Sequence, residues 1–500
     1  SASVRKSDWL CVTWGVVRMQ QVTRRQFLKA ASGVAVAGSA LGAAAGERPV
    51  VIIGAGLAGL AAAYELREAG INVRIAEQSD RAGGRIRTVR DVFDDGAWVD
   101  VGGQTSGPGY ANVFYYAKLF ELEFEPQTVF RGRPEVLLDM GDELSAVSAL
   151  RADPSRWPVA LTAEEKAVAP SRLLAHYLAP VAREIGSADR VLDAPFLKYD
   201  EMSLLAFLEQ AGASPAALRM IAHTANYNRL DSVSALSAIR DAIRALFNSG
   251  GEALNLKNGN ETLVTAFAGR LAPTLHFNTS LQRIETTDAA IALHFETPDG
   301  HETWEAQVVI LAIPFTALRR VSIEPELPAE RQSIIADLPY TQVAQTYLQT
   351  ARRFWSEEDN VLAVYSDGPL ERLFNASSRM QGERGLLVNW MNGTGAMAVS
   401  DMDGEEQAEF AVRELERIWP ESRKLVETTY TNDWGKSYAE GAYAHFAPGQ
   451  MARFAADIPR PIGRLHFAGE HTELVAPGME GALTSGRRAA KEVIDRLDRV

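Results

Sequence analysis

The stretch that decides the fold runs from Val50 to Gly59 and reads Val-Val-Ile-Ile-Gly-Ala-Gly-Leu-Ala-Gly. Its four β-branched residues predict a short strand of a buried parallel sheet. Residues 60–67 predict a helix that ends near Gly70, and residues 73–76 predict a second strand. A strand, a glycine turn, a helix and a strand in this order predict the first βαβ unit of a Rossmann-like α/β fold.

The glycines of this unit predict a dinucleotide site. Gly54 makes the tight turn, Gly56 lets a pyrophosphate approach the backbone, and Gly59 lets the helix pack closely on the strand. The first helical amides, including those of Leu57 and Ala58, carry the partial positive charge that favours a phosphate group. We therefore assign these five residues to cofactor binding.

An acid and a second glycine pair decide between the possible dinucleotides. Glu77 ends the second predicted strand about 20 residues after the glycine turn, where an acid accepts ribose hydroxyls, and Gln78 follows it. An acid at this place argues against a 2′-phosphate. Gly83 and Gly84 are typical of FAD enzymes of the glutathione-reductase type, in which Arg85 can reach the pyrophosphate. The alternative is a plain glycine turn with a surface arginine.

The composition excludes several classes of protein. The 500 residues are 46% apolar and 23% charged, which is typical of a globular chain. A formal net charge of −13 argues against a nucleic-acid partner. The single cysteine, Cys11, cannot form an internal disulfide or a cysteine-ligated metal site, and the 8 histidines form no paired metal motif. We predict no bound metal.

The first 45 residues have the pattern of an export signal. Arg24 and Arg25 precede Phe-Leu-Lys, and a mildly apolar run rich in alanine and glycine covers residues 30–45. This run is shorter than the roughly 20 apolar residues that span a membrane. We predict a twin-arginine signal in residues 1–45, a periplasmic or secreted protein, and no stable membrane anchor. An N-terminal anchor is the alternative.

The motifs together resemble the flavin-containing amine oxidase family, which includes monoamine, polyamine and L-amino-acid oxidases. The resemblance covers nearly all of residues 48–500. It is carried by residues 54–59, 77, 83–85, 100–104, 310–314, 354–355, 434, 440–443, 467–470 and 478–482. It implies a FAD-binding Rossmann-like domain interleaved with an α+β substrate-binding domain.

The resemblance also implies where these two domains lie along the chain. The FAD-binding domain takes residues 46–110, 251–322 and 431–500, and the substrate-binding domain takes residues 111–250 and 323–430. Apolar residues at helical spacing, among them Tyr115, Tyr116, Leu119 and Phe120, predict core-facing helices in the first substrate-binding segment.

Further cofactor-binding residues follow from the matched motifs. Glu470 is expected to bond the ribityl chain, and the helix beginning at Met479 is expected to turn its amides toward the flavin. The expected set beyond the first βαβ unit consists of Gly102, Gly103, Gln104, Leu281, Trp434, Gly469, Glu470, Gly478 and Met479.

Two departures from the family pattern concern the flavin itself. Where some members attach FAD through a cysteine, this chain has Ala442, so FAD is expected to be non-covalent. Two aromatic rings usually frame the flavin face. Tyr443 matches one of them, and Pro477 or Gly478 takes the place of the other.

Two further departures concern turnover and substrate. Gln345 stands where the family usually has a lysine that holds a water near the flavin, so the reaction with oxygen is in doubt. The family's amino-acid oxidases place a carboxylate-binding arginine soon after the matched glycine pair, whereas here no arginine follows Gly103 until Arg131. This favours an amine without an α-carboxylate.

The expected activity is FAD-dependent oxidation of a small amine to an imine, by hydride transfer to flavin N5. Hydrolysis then gives an aldehyde or ketone, and O2 reoxidises the flavin to give hydrogen peroxide. Tyr443 and Gln345 are the expected catalytic residues, and Gln104, Tyr227, Glu252 and Tyr443 the expected substrate contacts. The alternatives are an amine dehydrogenase with a periplasmic cytochrome as electron acceptor, an L-amino-acid oxidase, a desaturase and a non-catalytic FAD-binding relative. A homodimer is possible.

Overall fold

The computed structural model describes residues 48–498 except 105, 108, 127–133, 142, 248–252, 356–360 and 477. The predicted export signal in residues 1–45 and the predicted substrate contact Glu252 lie outside the described residues. The chain from Arg48 onward clusters as one compact unit. Its division into a FAD-binding and a substrate-binding domain therefore stays a prediction.

The strands of the described chain lie before residue 147 and after residue 253, on either side of a stretch that is helical. They are β1 (Val50–Ile53), β2 (Val73–Ala76), β3 (Thr88–Val89), β4 (Val99–Asp100), β5 (Phe124–Pro126), β6 (Glu135–Met140), β7 (Glu143–Ala146), β8 (Leu254–Leu256), β9 (Leu275–His276), β10 (Ser280–Thr286), β11 (Ile291–Thr297), β12 (Gly300–Ala306), β13 (Val308–Leu311), β14 (Ser322–Glu324), β15 (Tyr340–Thr341), β16 (Val343–Thr350), β17 (Val361–Ser366), β18 (Arg372–Asn375), β19 (Gly385–Asn392), β20 (Val426–Asp433), β21 (Tyr443–Ala444) and β22 (Leu465–Phe467).

The described chain also contains α-helices of 4 to 20 residues. They are α1 (Leu57–Glu68), α2 (Ala111–Leu119), α3 (Val147–Ala152), α4 (Ala163–Ala167), α5 (Leu173–Ile185), α6 (Leu204–Gln210), α7 (Pro215–Thr224), α8 (Ala235–Phe247), α9 (Glu261–Leu271), α10 (Phe315–Leu318), α11 (Ala329–Asp337), α12 (Thr394–Ala398), α13 (Gly404–Ile418), α14 (Gln450–Phe454) and α15 (Gly478–Leu497). No helix of the described chain is long and apolar enough to cross a membrane.

A five-stranded sheet in the order β22-β13-β1-β2-β9 forms the base of the fold. Its neighbouring strands all pair in parallel; Val51, for example, lies between Val309 on one side and Arg74 on the other. The four residues of β1 are fully buried because helices cover the sheet. This parallel sheet confirms the predicted Rossmann-like α/β fold. The carboxyl ends of its strands all lie at one edge, where ligands bind in this fold.

Two antiparallel-rich sheets, of four and seven strands, and three two-stranded sheets complete the set in the described residues. The four-stranded sheet has the order β12-β11-β10-β14, and the seven-stranded sheet has the order β20-β16-β19-β18-β17-β6-β7. The seven-stranded sheet draws β6 and β7 from a region whose pattern predicted mostly helices, and β6 pairs in parallel with β17 more than two hundred residues later. Local periodicity does not reveal a partner so distant along the chain.

The helices α1 and α15 pack at backbone contact beside the five-stranded sheet. A Cβ atom built on Gly486 of α15 would lie 2.3 Å from the carbonyl oxygen of Ala58 in α1. The N-terminal ends of both helices are thereby held beside the edge where β1 and β22 end.

The prediction that Tyr115 and Leu119 face the core is wrong. These side chains are 47% and 43% exposed, whereas Tyr116 and Phe120 are buried against Phe267 of α9. The apolar residues of α2 lie on both faces of this helix, so helical spacing alone did not identify the face that packs.

Candidate functional site

A cavity of about 1710 Å³ opens at the carboxyl ends of the parallel strands. The residues that follow β1, β2, β13 and β22 all contribute to its wall, as expected for a ligand site in a doubly wound sheet. The predicted site residues that line it are Gly54, Gly56, Leu57, Ala58, Glu77, Gln78, Gly83, Gly84, Arg85, Gly102, Gly103, Gln104, Tyr227, Leu281, Trp434, Tyr443, Gly469, Glu470, Gly478 and Met479.

The glycine turn after β1 leaves space only on the cavity side. A Cβ atom on Gly59 would lie 1.9 Å from the carbonyl oxygen of Gly54, so this glycine is required for packing and does not line the cavity. At Gly56 a Cβ atom would meet no described atom within 4 Å. Among the described residues no side chain caps the N-terminus of α1. The amides of Leu57 and Ala58 therefore lie beside open space that suits a phosphate group.

The carboxylate of Glu77 is fixed at the end of β2. Its Oε2 atom accepts a hydrogen bond from the backbone N–H of Ala55 at 2.7 Å, and its Oε1 atom accepts two from Ser79. Both acceptor sites of Oε1 are used, but Oε2 can accept one further bond, so Glu77 can still receive a ribose hydroxyl from the cavity.

An ion pair between Arg85 and Glu470 closes the same edge of the cavity. Arg85 Nη1 lies 2.7 Å from Glu470 Oε1 and also donates to the carbonyl oxygen of Ala442 at 2.9 Å. The same Glu470 oxygen accepts from the backbone N–H of Ala444 at 3.1 Å. These bonds fix two residues assigned to cofactor binding and the segment that carries Tyr443.

These groups fit FAD. Uncapped helix amides and a guanidinium suit a pyrophosphate, the carboxylates of Glu77 and Glu470 suit ribose and ribityl hydroxyls, and the empty side of Gly56 accommodates close backbone approach. The described residues contain no cluster of three histidine, aspartate or glutamate side chains that could hold a metal ion.

We call the part of the cavity that is lined by Tyr227, Arg240, Asp241 and Tyr443 the chamber. Tyr443 is fixed there by two hydrogen bonds. Its hydroxyl donates to the carbonyl oxygen of Asn226 at 3.1 Å and accepts from Asn392 Nδ2 at 3.0 Å. Burial raises the pKa of Tyr443, so the phenol stays protonated. Because its one proton is already donated, Tyr443 contributes a fixed aromatic wall rather than an acid or base.

A charged cluster on α8 forms another part of the chamber wall. The carboxylate of Asp241 accepts hydrogen bonds from Arg240, Arg244 and Tyr227, all at 2.9–3.2 Å. Burial alone would raise the pKa of Asp241, but the two arginines and the Tyr227 hydroxyl outweigh burial and lower it. Asp241 is therefore a carboxylate shared between two guanidinium groups.

Gln345 does not line the cavity. Its side chain is fully buried in β16, where Nε2 donates to the Tyr347 hydroxyl at 3.3 Å and Oε1 accepts from Asn432 at 3.0 Å. Its predicted catalytic role stays a prediction. At the place of the second aromatic ring, a Cβ on Gly478 would lie 3.8 Å from the Tyr110 hydroxyl, and Tyr110 also lines the cavity.

Sequence reasoning missed the charged cluster and several uncharged wall residues. The missed residues that line the cavity are Tyr110, Trp390, Arg240, Asp241, Arg244, Phe446 and His471, and the missed Asn392 bonds Tyr443. The one available signal was the run of charged residues in α8, because Arg240, Asp241 and Arg244 interrupt a helix whose Ile239 and Ile243 are buried. The others come from distant strands and loops and carry no local pattern.

Comparisons with known proteins agree with this geometry. Residues 57–494 match the family model for flavin containing amine oxidoreductases. An L-amino-acid oxidase of Demansia vestigiata is 26% identical over 472 residues, covering 92% of this chain and 89% of that protein. An L-amino-acid oxidase of Siganus canaliculatus is 27% identical over 454 residues, covering 89% and 85%.

Solved structures show the same fold. Wild-type putrescine oxidase bound to putrescine superposes with a TM-score of 0.75 at 23% identity, covering 90% of this chain and 99% of that one. Cyclohexylamine oxidase from Brevibacterium oxydans IH-35A gives 0.75 at 20% identity, covering 91% and 100%. With FAD as the cofactor that these groups hold, the chain is an FAD-dependent oxidoreductase and belongs to the flavin-containing amine oxidoreductase family.

Proposed function

We propose that this chain oxidises the carbon–nitrogen bond of a small amine to an imine, which water hydrolyses to an aldehyde or ketone and ammonia or an amine. One observation carries the proposal. A single cavity joins the strand ends that bear Gly54 and Glu77 to the chamber that bears Tyr443 and Tyr227. FAD, when bound, supplies the acceptor for two electrons, and O2 as the final acceptor gives hydrogen peroxide.

The protein's own part is to hold the cofactor and to position the amine. The amides of Leu57 and Ala58 and the side chains of Glu77, Arg85 and Glu470 hold FAD by the contacts described above. The ring of Tyr443, fixed through its hydroxyl, restricts the orientation of the amine in the chamber. Tight positioning of a reactant lowers the entropic part of the barrier.

FAD is bound without a covalent link to a cysteine. Ala442, whose carbonyl oxygen accepts from Arg85, matches the position at which some family members carry the flavin-linked cysteine, and Cys11 is the single cysteine of the chain. Acid precipitation of the yellow protein is expected to release all the flavin into the supernatant. Flavin that stays with the precipitate would contradict this.

The relatives leave open whether the amine carries a carboxylate. Those similar in sequence are named as L-amino-acid oxidases, and those similar in fold are named for putrescine and cyclohexylamine. The substrate class is therefore argued separately below from the charges of the chamber.

Anaerobic mixing of the FAD-loaded protein with a panel of amines and amino acids tests the activity. Bleaching of the flavin absorbance by at least one of them supports the proposal, and no bleaching by any of them contradicts it. Admitting air then tests the acceptor. Rapid recolouring with formation of hydrogen peroxide supports an oxidase, and a flavin that stays bleached supports a dehydrogenase with another acceptor.

The proposal that the protein is exported is supported by its sequence alone. Arg24 and Arg25 fit a twin-arginine signal, which carries folded proteins. In a bacterial host, flavoprotein is expected in the periplasmic fraction, and the double substitution Arg24→Lys with Arg25→Lys is expected to retain it in the cytoplasm. Periplasmic protein from the doubly substituted chain would contradict a twin-arginine signal.

A further inference from the structure

Arg240, at the wall of the cavity, has a guanidinium edge without a hydrogen-bond partner among the described residues. Arg240 is 5% exposed and lies at the cavity wall, where its guanidinium group is 5.3 Å from the ring centroid of Phe446. Asp241 Oδ1 accepts from Nε at 3.2 Å and from Nη2 at 3.1 Å. Asp241 thus occupies the side of the guanidinium that bears Nε.

The opposite edge of Arg240 is free to bind a ligand. Its Nη1 atom has no hydrogen-bond partner among the described residues and is not a fully buried atom, and Arg240 lines the cavity. A guanidinium has five N–H donors in a planar fork, so Nη1 and the second Nη2 proton form a second pair of parallel donors. Two parallel N–H donors match the two oxygens of a carboxylate.

Two other arginines near the chamber, Arg244 and Arg372, have hydrogen-bond partners on both terminal nitrogens. Arg244 donates from Nε to the carbonyl oxygen of Val475, from Nη1 to Asp241 and from Nη2 to the carbonyl oxygen of Leu474. Arg372 does not line the cavity, and its Nη1 and Nη2 atoms donate to the side-chain oxygens of Asn226 and Asn392. Only Arg240, among these three, presents an unused pair of donors.

The charge of the cluster also favours an anion. Among the described residues, Asp241 is the one carboxylate that bonds both Arg240 and Arg244; Glu473 and Glu470 attract Arg244 through space but form no bond with either arginine. The side chains of Arg240 and Arg244 are 6% and 10% exposed and that of Asp241 is 38% exposed, so one nearly buried positive charge lacks a bonded counter-ion. An uncompensated charge away from bulk water is costly, and an anionic ligand would remove this cost.

The open edge is connected to the wall that Tyr443 forms. Asp241 bonds Arg240 on one oxygen and the Tyr227 hydroxyl on the other, and the carbonyl oxygen of Asn226, the neighbouring residue, accepts from Tyr443. A substrate held by Arg240 thus lies in the chamber in which Tyr443 orients the amine.

We propose that Arg240 binds a carboxylate of the substrate, so that the amine oxidised by this chain is an amino acid. This inference rests on the proposed amine oxidation and names its substrate class. It reverses the expectation of an amine without an α-carboxylate, which considered only the segment after Gly103. The anion is recognised from α8 instead of from that segment.

The experiment compares substrates that differ only by a carboxylate, using the full FAD-loaded chain. The pairs are phenylalanine with 2-phenylethylamine, and 4-aminobutyrate with butylamine, so that a carboxylate on the α-carbon and a distant one are both sampled. Anaerobic flavin reduction is followed by stopped flow. In at least one pair the carboxylate-bearing member is expected to have the lower half-saturating concentration, by about tenfold or more.

Variants of Arg240 separate binding from a structural effect. Arg240→Gln is expected to raise that concentration about 10- to 100-fold, with a much smaller effect on the limiting rate, because charge-assisted hydrogen bonds to the bound carboxylate are lost. Arg240→Lys keeps the charge but not the planar pair of donors and is expected to be intermediate.

The matched control is Arg219→Gln, which removes an exposed arginine of α7 that does not line the cavity. Equal effects on both members of a pair, or a preference for the amine in both pairs, would overturn the inference.

A binding measurement keeps the inference testable without turnover and without a variant. In titration calorimetry, 3-phenylpropionate is expected to bind the oxidised wild-type holoprotein at least about tenfold more tightly than 3-phenylpropionamide. Equal binding of acid and amide would overturn carboxylate recognition. Failure of the amine oxidation itself has a different signature, since no amine or amino acid would then bleach the flavin even if the acid is preferred.

Discussion

Arg85 Nη1 lies 2.7 Å from Glu470 Oε1, across 385 residues of sequence. This pair joins the loop after β2 to the segment after β22, and both side chains line the cavity. The site at the edge of the five-stranded sheet therefore depends on a bond between the two ends of the chain that the sequence itself does not reveal.

The Arg85–Glu470 pair is expected to stabilise the fold and to retain FAD. Both side chains are largely buried, so removal of either partner leaves a poorly solvated charge. In a double-mutant cycle of Arg85→Ala and Glu470→Ala, urea unfolding of the apoprotein is expected to give a coupling free energy of about 1–3 kcal/mol. Each single variant is also expected to lose FAD on gel filtration.

The same cycle contains its own control. If the pair is incidental, the two single substitutions will add and the coupling free energy will be near zero. Unchanged FAD retention in both single variants would contradict the assignment of these residues to cofactor binding.

Substitution by alanine is expected to affect two glycines of the turn after β1 differently: one substitution lowers stability, and the other weakens FAD binding. At Gly59 the new Cβ would lie 1.9 Å from a backbone oxygen, so Gly59→Ala is expected to destabilise the apoprotein by about 2–3 kcal/mol. Gly56 has φ −73° and no described atom within 4 Å of a Cβ, so Gly56→Ala is expected to change stability by less than about 1 kcal/mol. FAD affinity is nevertheless expected to fall in Gly56→Ala.

Thermal unfolding of the two apoproteins and titration with FAD check this contrast. Each variant serves as the control for the other, because both add one methyl group to the same turn. A Gly56→Ala protein that binds FAD like the wild type would show that the space beside Gly56 does not accommodate the pyrophosphate.

The sequence predicts the nucleotide end of the site well for a physical reason. The tasks of Gly54, Gly56 and Glu77 depend on bonds within one βαβ unit, so spacing along the chain determines their positions in space. The chamber was predicted less fully. Asp241 is defined by its contacts with Arg240, Arg244 and Tyr227 on packed helices and loops, and no local spacing encodes that packing.

Gln345 is the clearest case in which alignment and structure give different expectations. Its position along the chain matches a residue of the family site, yet its amide is buried between Tyr347 and Asn432 and away from the cavity wall. We expect Gln345→Met to change the rate of flavin reduction by amine, and of reoxidation by O2, by less than about threefold, since no contact with a reactant is lost.

The matched control is Gln349→Met, because Gln349 is equally buried in β16 and, among the described residues, its side chain bonds only the backbone of Asp94. Stopped-flow reduction and reoxidation of both variants are compared at equal FAD loading. A drop of more than about tenfold in Gln345→Met alone would restore the predicted catalytic role. Gln345→Lys is expected to lower stability by about 2 kcal/mol or more, since it buries an ammonium group.

His445 is expected to make the fold sensitive to acid. Burial lowers the pKa of His445 to about 4 from its ordinary 6.5, and the ring stays neutral beside Thr341. Between these two values the unfolded chain binds more protons than the folded chain, so the free energy of unfolding falls as the pH falls from about 6.5 to 4. The full contribution is about 3 kcal/mol. His471, also buried, has its pKa lowered by burial and three arginines and acts in the same direction.

Urea unfolding at pH 7, 6, 5 and 4.5 measures this contribution as the difference between wild type and His445→Gln, so that carboxylates titrating in both proteins cancel. The variant is expected to lose less stability than the wild type over this range, because glutamine has no proton to gain. His301→Gln, at an exposed position of β12, is the matched control and is expected to follow the wild type. If the His445→Gln curve runs parallel to that of the wild type, the buried imidazole is not the cause of the acid sensitivity.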